Sequence, residues 1–155
     1  MVFIKMAMIL PKRLKLTQRV LKREAKPVTF EHVGQLAMLS TAMHDFMTAN
    51  DGIGLAATQV GIARRMFVMN VEGRARTCIN PEALWPTEDQ TVRYREGCLS
   101  FPDEFVETER PRKILARYQN VHGEWVEEEL DELEAVCYQH ELDHLNGITM
   151  HARAI

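Results

Sequence analysis

The sequence predicts an α+β fold, with mixed or antiparallel strands packed around a helix near the C-terminal end. Three observations carry this. Apolar positions recur at helical spacing over residues 30–49; short strand-like runs alternate with turn residues through the middle; and helical spacing returns over 131–146. The 155 residues suit one domain spanning 1–155, and no repeat or low-complexity linker divides them.

The first helix is marked by Val33, Leu36, Ala37, Met43 and Met47 and closed by Asn50-Asp51-Gly52. A glycine-rich stretch, 52–61, then leads into a strand at Met66–Val71. Further strands are expected at 77–80, 92–95 and 113–119, with a turn at 120–123 feeding a strand over 124–130. The final helix should start with Asp131 as N-cap and Glu134 reaching back to it, and stop at Gly147.

Composition narrows the partners. Apolar residues make up 46% and charged residues 26%, and the formal net charge is −3, so nothing in the overall balance calls for nucleic acid or an anionic membrane. No apolar run reaches the roughly 18 residues a membrane span needs. Cys78, Cys98 and Cys137 form an odd set without disulfide spacing, which suits a reducing compartment. A cytoplasmic location is expected, with an organellar or viral origin equally compatible. Residues 1–23 carry seven basic side chains and no acid, as transit peptides do. The segment is poor in Ser and its apolar stretch 6–10 is short, so it is read as part of the folded domain.

The last helix concentrates the chemistry. Leu133, Val136, Cys137, His140, Glu141 and His144 share one face. The first three mark that face as inward, and a second apolar row of Ala135, Tyr138, Leu142 and Leu145 covers the helix on most sides. A buried Glu141 needs compensation, because an isolated carboxylate costs several kcal/mol or more to bury. One helical turn separates His140 from His144, so one cation can bridge both rings, with Glu141 beside it as the acid–base group. A metal-free His–Glu cluster is the alternative. The pattern points to a metal-dependent hydrolase.

The third ligand is less determined. A downstream His–Gly–His arrangement fails because position 150 is Met and His151 falls one residue late. Only 148–155 follow Gly147, so the ligand is expected upstream. Cys137 and His144 are roughly 10 Å apart along the axis, which makes Cys137 a pocket-lining residue rather than a ligand. Cys98, in Arg95-Glu-Gly-Cys-Leu-Ser-Phe-Pro102, precedes what reads as a proline-terminated turn. The spacing alone does not choose between Cys98 and Cys78.

Gly52-Ile-Gly-Leu-Ala-Ala-Thr-Gln59, Glu96-Gly-Cys-Leu-Ser100 and Gln139-His-Glu-Leu-Asp-His144 together resemble the three signature motifs of the peptide deformylases, in the same order and at similar spacing. Ala25-Lys-Pro-Val28 fits as well, so the resemblance covers about residues 8–150. It implies removal of the formyl group from N-formylmethionyl nascent chains. It implies Cys98, His140 and His144 as ligands, Glu141 as general acid–base, and Gln59 with the Leu99 backbone N–H as oxyanion donors. The implied ion is one Fe2+; a Cys/His/His set also suits Zn2+, Ni2+ or Co2+. A bound peptide is implied to pair near Ile53 and Gly54. Its methionine slot would be lined by Ile53, Leu133, Val136, Cys137 and the His140 ring.

The chain departs from that pattern in places. Glu132 stands where many members have Gly, and Phe105 where an Arg is common. Arg110 aligns with a second commonly basic position and is assigned to peptide binding. The sequence stops at Ile155, so ribosome docking through a C-terminal extension is not expected. The rival readings are a zinc endopeptidase, a structural metal module with four protein ligands, and a dinucleotide site at Gly52-x-Gly-x-x-Ala57. The last would need a strand before the glycines and a helix after them.

Overall fold

Strand Met66–Val71 is apolar on both faces, and the fold is arranged around it. Met66 and Val68 point into one buried cluster with Leu36, Leu39 and Met43; Phe67, Met69 and Val71 point into another with Tyr138 and Leu145. A strand covered on both sides reads as a continuous apolar run, as here. The computed structural model describes residues 11–84 and 90–155.

The helices are α1 (Val33–Ala49) and α2 (Glu132–Leu145), and the strands are β1 (Gly54–Ala56), β2 (Met66–Val71), β3 (Arg74–Leu84), β4 (Thr91–Cys98), β5 (Phe101–Pro111), β6 (Lys113–Gln119) and β7 (Trp125–Asp131). Five strands form one sheet in the order β1-β2-β3-β6-β7, and β4-β5 form a separate hairpin. Every pairing between these strands is antiparallel. The expected α+β class holds. Helix α1 covers one face of the sheet and α2 the other, where the Phe67 and Tyr138 rings meet edge to face at 5.0 Å.

Between β3 and β6 the register shifts at Ile79/Glu82, with Asn80 at φ +49. The freed Asn80 side chain clamps the Lys26-Pro27-Val28 segment, accepting from Val28 N at 2.8 Å and donating to Val28 O at 3.0 Å. Residues 11–23 belong to the folded body, since Val20 and Leu21 are buried; residues 1–10 of the basic segment lie outside the described residues. No described helix is long and apolar enough to cross a membrane.

Two local expectations are corrected. The stretch after Cys98, read as a proline-terminated turn, turns at Leu99-Ser100 and then continues through Pro102 in the long strand β5. The ladder runs from Cys98↔Phe101 to Gly97↔Phe105 and leaves 102–104 bulged, with Asp103 at φ +64. A proline is tolerated there because it lies in the bulge, outside the paired positions of the ladder. At the start of α2, Asp131 caps by accepting from Glu132 N at 2.9 Å, but Glu134 does not reach back. Arg74 and Arg76 on β3 take its carboxylate instead.

Candidate active site

Helix α2 ends at Leu145 with Asn146 as its C-cap, and Gly147 follows at φ +73. A Cβ on Gly147 would lie 2.8 Å from the Lys22 carbonyl, so the glycine lets the N-terminal segment cross the helix end. With its far end held this way, the inward face of α2 presents Leu133, Val136, Cys137, His140 and Glu141 to a cavity of about 450 Å³. The opposite wall comes from the 52–54 segment, Gln59, and the β4-β5 hairpin with Cys98 and Leu99.

Two elements bring three donor atoms together. Cys98 Sγ lies 3.3 Å from His144 Nε2, which lies 3.2 Å from His140 Nε2. Among the described residues Cys98, His140 and His144 form the group whose ligand atoms all fall within 4.8 Å of one another. Cys78, the other candidate, is buried in the core beneath α2. Three donors rather than four leave a coordination place open, which is the pattern of a catalytic ion.

The protonation chemistry fits a cation. His140 Nδ1 donates to Glu96 Oε1 at 2.7 Å, which turns Nε2 toward the other two donor atoms. Burial pulls the His140 pKa down, but the Cys98 and Glu96 contacts prevail and push it up to about 10. Burial and the neighbouring His140 drive His144 down to about 3. Burial thus opposes charge on both rings, and only the Cys98 and Glu96 contacts of His140 offset it. Glu96 is the counterweight: despite burial, its hydrogen bonds from His140, Arg110 and Thr108 hold it at about 2.

Glu141 is the contrasting carboxylate. It is 3% exposed, its Oε2 has no hydrogen-bond partner among the described residues, and burial lifts its pKa to about 7. A carboxyl that titrates near neutrality at a cavity wall can take and return a proton. Facing it, Gln59 is locked: Oε1 accepts from Ala56 N at 2.9 Å, while Nε2 donates to Ser100 Oγ at 3.1 Å and to Cys98 Sγ at 3.5 Å. Its amide N–H groups therefore face the Cys98 side of the cavity.

Ile53, Gly54, Leu133, Val136 and Cys137 all line the cavity, as expected. Arg110 does not, and its assignment to peptide binding is withdrawn. It is 4% exposed, with Nε and Nη2 on Glu96 (2.7 and 3.0 Å) and Nη1 on Asp143 (2.9 Å), so its charge is consumed behind the site. Sequence reasoning gave Glu96 no role. Strand alternation signals it, because Glu96 and Cys98 project to the same side of β4 and a ligating imidazole needs an acceptor for its second nitrogen. The dinucleotide reading fails, since Gly54 opens strand β1 and only a short 3₁₀ turn follows.

A cysteine sulfur, two imidazoles and a buried carboxyl with an unpartnered oxygen at one cavity of an α+β fold define a metal-dependent hydrolase. The comparisons take this further. The chain matches the polypeptide deformylase family over residues 12–155. It is 49% identical over 130 residues to peptide deformylase of Thermotoga neapolitana, covering 83% of this chain and 77% of that one. The crystal structure of Thermotoga maritima peptide deformylase superposes with a TM-score of 0.87 at 44% identity, over 92% of this chain and 98% of the other. A Met-Ala-Ser-bound peptide deformylase from Acinetobacter baumannii gives 0.86 at 34% identity, over 91% and 98%. The chain belongs to the peptide deformylase family, enzymes that remove the formyl group from nascent chains.

Proposed function

We propose that this chain, as one catalytic domain, hydrolyses the formamide of N-formylmethionyl peptides to formate and a free amine. Cys98, His140 and His144 hold one divalent cation, Fe2+ in the native protein, and the reaction takes place in the compartment where those chains are made. The carrying observation is the convergence of these three donors beside Glu141, a buried carboxyl with an unpartnered oxygen.

When bound, the cation supplies Lewis acidity that brings the pKa of water toward neutrality. Glu141 accepts a proton from the attacking water and returns it to the departing amine nitrogen. Charge developing on the formyl oxygen is met by the Gln59 side-chain N–H and the Leu99 backbone N–H. Gln59 is tied at its oxygen, which fixes the amide plane, and the N–H now on Cys98 Sγ is the one offered to the formyl oxygen. The peptide lies along β1, which sits at the edge of the sheet order and offers backbone groups for a further strand. The apolar wall of Ile53, Leu133, Val136 and Cys137 suits a methionine side chain. The relative from Acinetobacter baumannii, solved with Met-Ala-Ser bound, supports a peptide in this cavity.

The test is anaerobic purification, elemental analysis, and assay on formyl-Met-Ala, acetyl-Met-Ala and an internal peptide. About one metal per chain and turnover of the formyl substrate alone are expected. Cleavage of the internal peptide would instead make this an endopeptidase.

A further inference from the structure

We propose that Arg153 is a positioning residue for the metal centre, acting through Asp143, Arg110 and Glu96 to fix the ring of His140. The inference rests on the reading of Cys98, His140 and His144 as ligands.

Arg153 stands in the 3₁₀ turn Met150–Arg153, which is laid against β5: Ala154 bridges to Thr108, and Ile155 N donates to Glu107 O at 3.0 Å. That docking sets the guanidinium on Asp143 as a fork, Nε to Oδ2 at 3.0 Å and Nη2 to Oδ1 at 2.8 Å. Asp143 Oδ2 also accepts from Arg110 Nη1 at 2.9 Å. Arg110 grips both oxygens of Glu96, and Glu96 Oε1 accepts from His140 Nδ1 at 2.7 Å. Side-chain exposure falls along this path from 46% at Arg153 through 11% at Asp143 to 5% at Arg110 and Glu96. A line of charge-assisted bonds therefore runs from the surface to a ligand.

The order of charges gives Arg153 its effect. Two guanidinium groups alternate with two carboxylates, so each buried carboxylate is held by a fork. Without Arg153, Asp143 keeps Arg110 as its remaining guanidinium partner, and an undercompensated buried carboxylate draws that partner toward itself. Arg110 then loosens its two-point grip on Glu96, whose Oε1 fixes the tautomer and orientation of His140. A lysine would restore charge but not the planar fork. Arg153 does not line the cavity, so any effect on the centre must pass through the intervening groups.

Ni2+ affinity, read by chelator competition on the whole protein, tests this. Arg153→Gln should weaken Ni2+ binding about tenfold, in the range typical of groups supporting a ligand. It should also shift the d–d absorption of the Co2+-loaded protein. Arg153→Lys should fall between, and it replaces Arg153→Gln throughout if the latter fails to fold. The decisive comparison is made in a Glu96→Gln background, where the Arg153 substitution should change affinity less than about twofold because the line is already cut. An undiminished loss in that background, or unchanged affinity in the single variant, overturns the proposal. His140→Ala is the separate control: if it binds Ni2+ as tightly as the parent chain, the ligand assignment itself is wrong.

Discussion

Gly54 and Glu141 compete for one volume: a Cβ on Gly54 would clash with Glu141 Oε1 and lie 2.9 Å from Cδ and 3.0 Å from Cys137 Sγ. No positive φ is involved, so alanine is excluded by space alone. Gly54→Ala should therefore push the carboxyl off its place while β1 stays paired with β2. Loss of a positioned acid–base group costs about 10²–10⁴ in kcat. Steady-state kinetics on formyl-Met-Ala with matched metal content should show that loss, and turnover within a few-fold of the parent would remove Glu141 from its role.

Gln59→Leu separates catalysis from folding less cleanly than a surface change would. Losing one preorganised donor to the oxyanion lowers kcat about 10²–10³-fold. The substitution also strands Ala56 N, whose acceptor is Gln59 Oε1, and a buried orphan donor costs about 1–3 kcal/mol. Both a kcat collapse and a lowered urea midpoint are expected, with metal content unchanged. Normal kcat in a protein showing only the stability loss would confine Gln59 to a structural part.

Metal removal should weaken the fold. The three donors are contributed by β4 and α2, which otherwise belong to separate sheet and helix units, so a cation held there would join them. Binding only to the folded state contributes about 2.7 kcal/mol at a hundredfold excess over Kd. For a chain of this size that is a Tm shift of about 5–10 °C. Calorimetry with chelator and then with added Ni2+ should show the fall and its recovery; an unchanged Tm would mean that the donors hold no ion.

The chemistry on α2 was legible because a helical period places side chains without reference to the rest of the chain: Leu133 to His144 follow from spacing alone. The partner across the cavity was not. Cys98 reaches His144 through a hairpin whose second strand the sequence hid, since Pro102 reads as the end of a turn while the structure absorbs it in a bulge. Arg110 shows the complementary failure. The resemblance sets it at a commonly basic position, and only tertiary packing reveals that Glu96 and Asp143 occupy the guanidinium.

A pH effect away from the metal is carried by His44 on α1. Burial lowers its pKa below 6.5, outweighing Asp45, while its Nε2 lies 3.1 Å from Thr77 Oγ1. The unfolded chain therefore binds more protons there than the folded one. Stability from this site is complete above pH 6.5 and is lost as pH falls toward the folded value. His44→Gln should flatten that limb, so the parent's stability relative to the variant should fall between pH 8 and pH 5 in urea melts. A pH-independent difference would rule out this linkage.

Glu132 opens α2 at φ +49, where L side chains are strained by about 1–2 kcal/mol and glycine is not. Its carboxylate pairs with Arg112 at 2.7 Å, but both side chains are more than a third exposed, and such pairs contribute about 0–1 kcal/mol. Glu132→Ala loses the pair and keeps the strain, whereas Glu132→Gly loses the pair and releases it. Inside a helix alanine is the more stable of the two by about 1 kcal/mol. At this position the order should reverse, with the glycine variant more stable by a similar amount in urea unfolding. If alanine proved the more stable, the left-handed start of the helix would not be what this side chain endures.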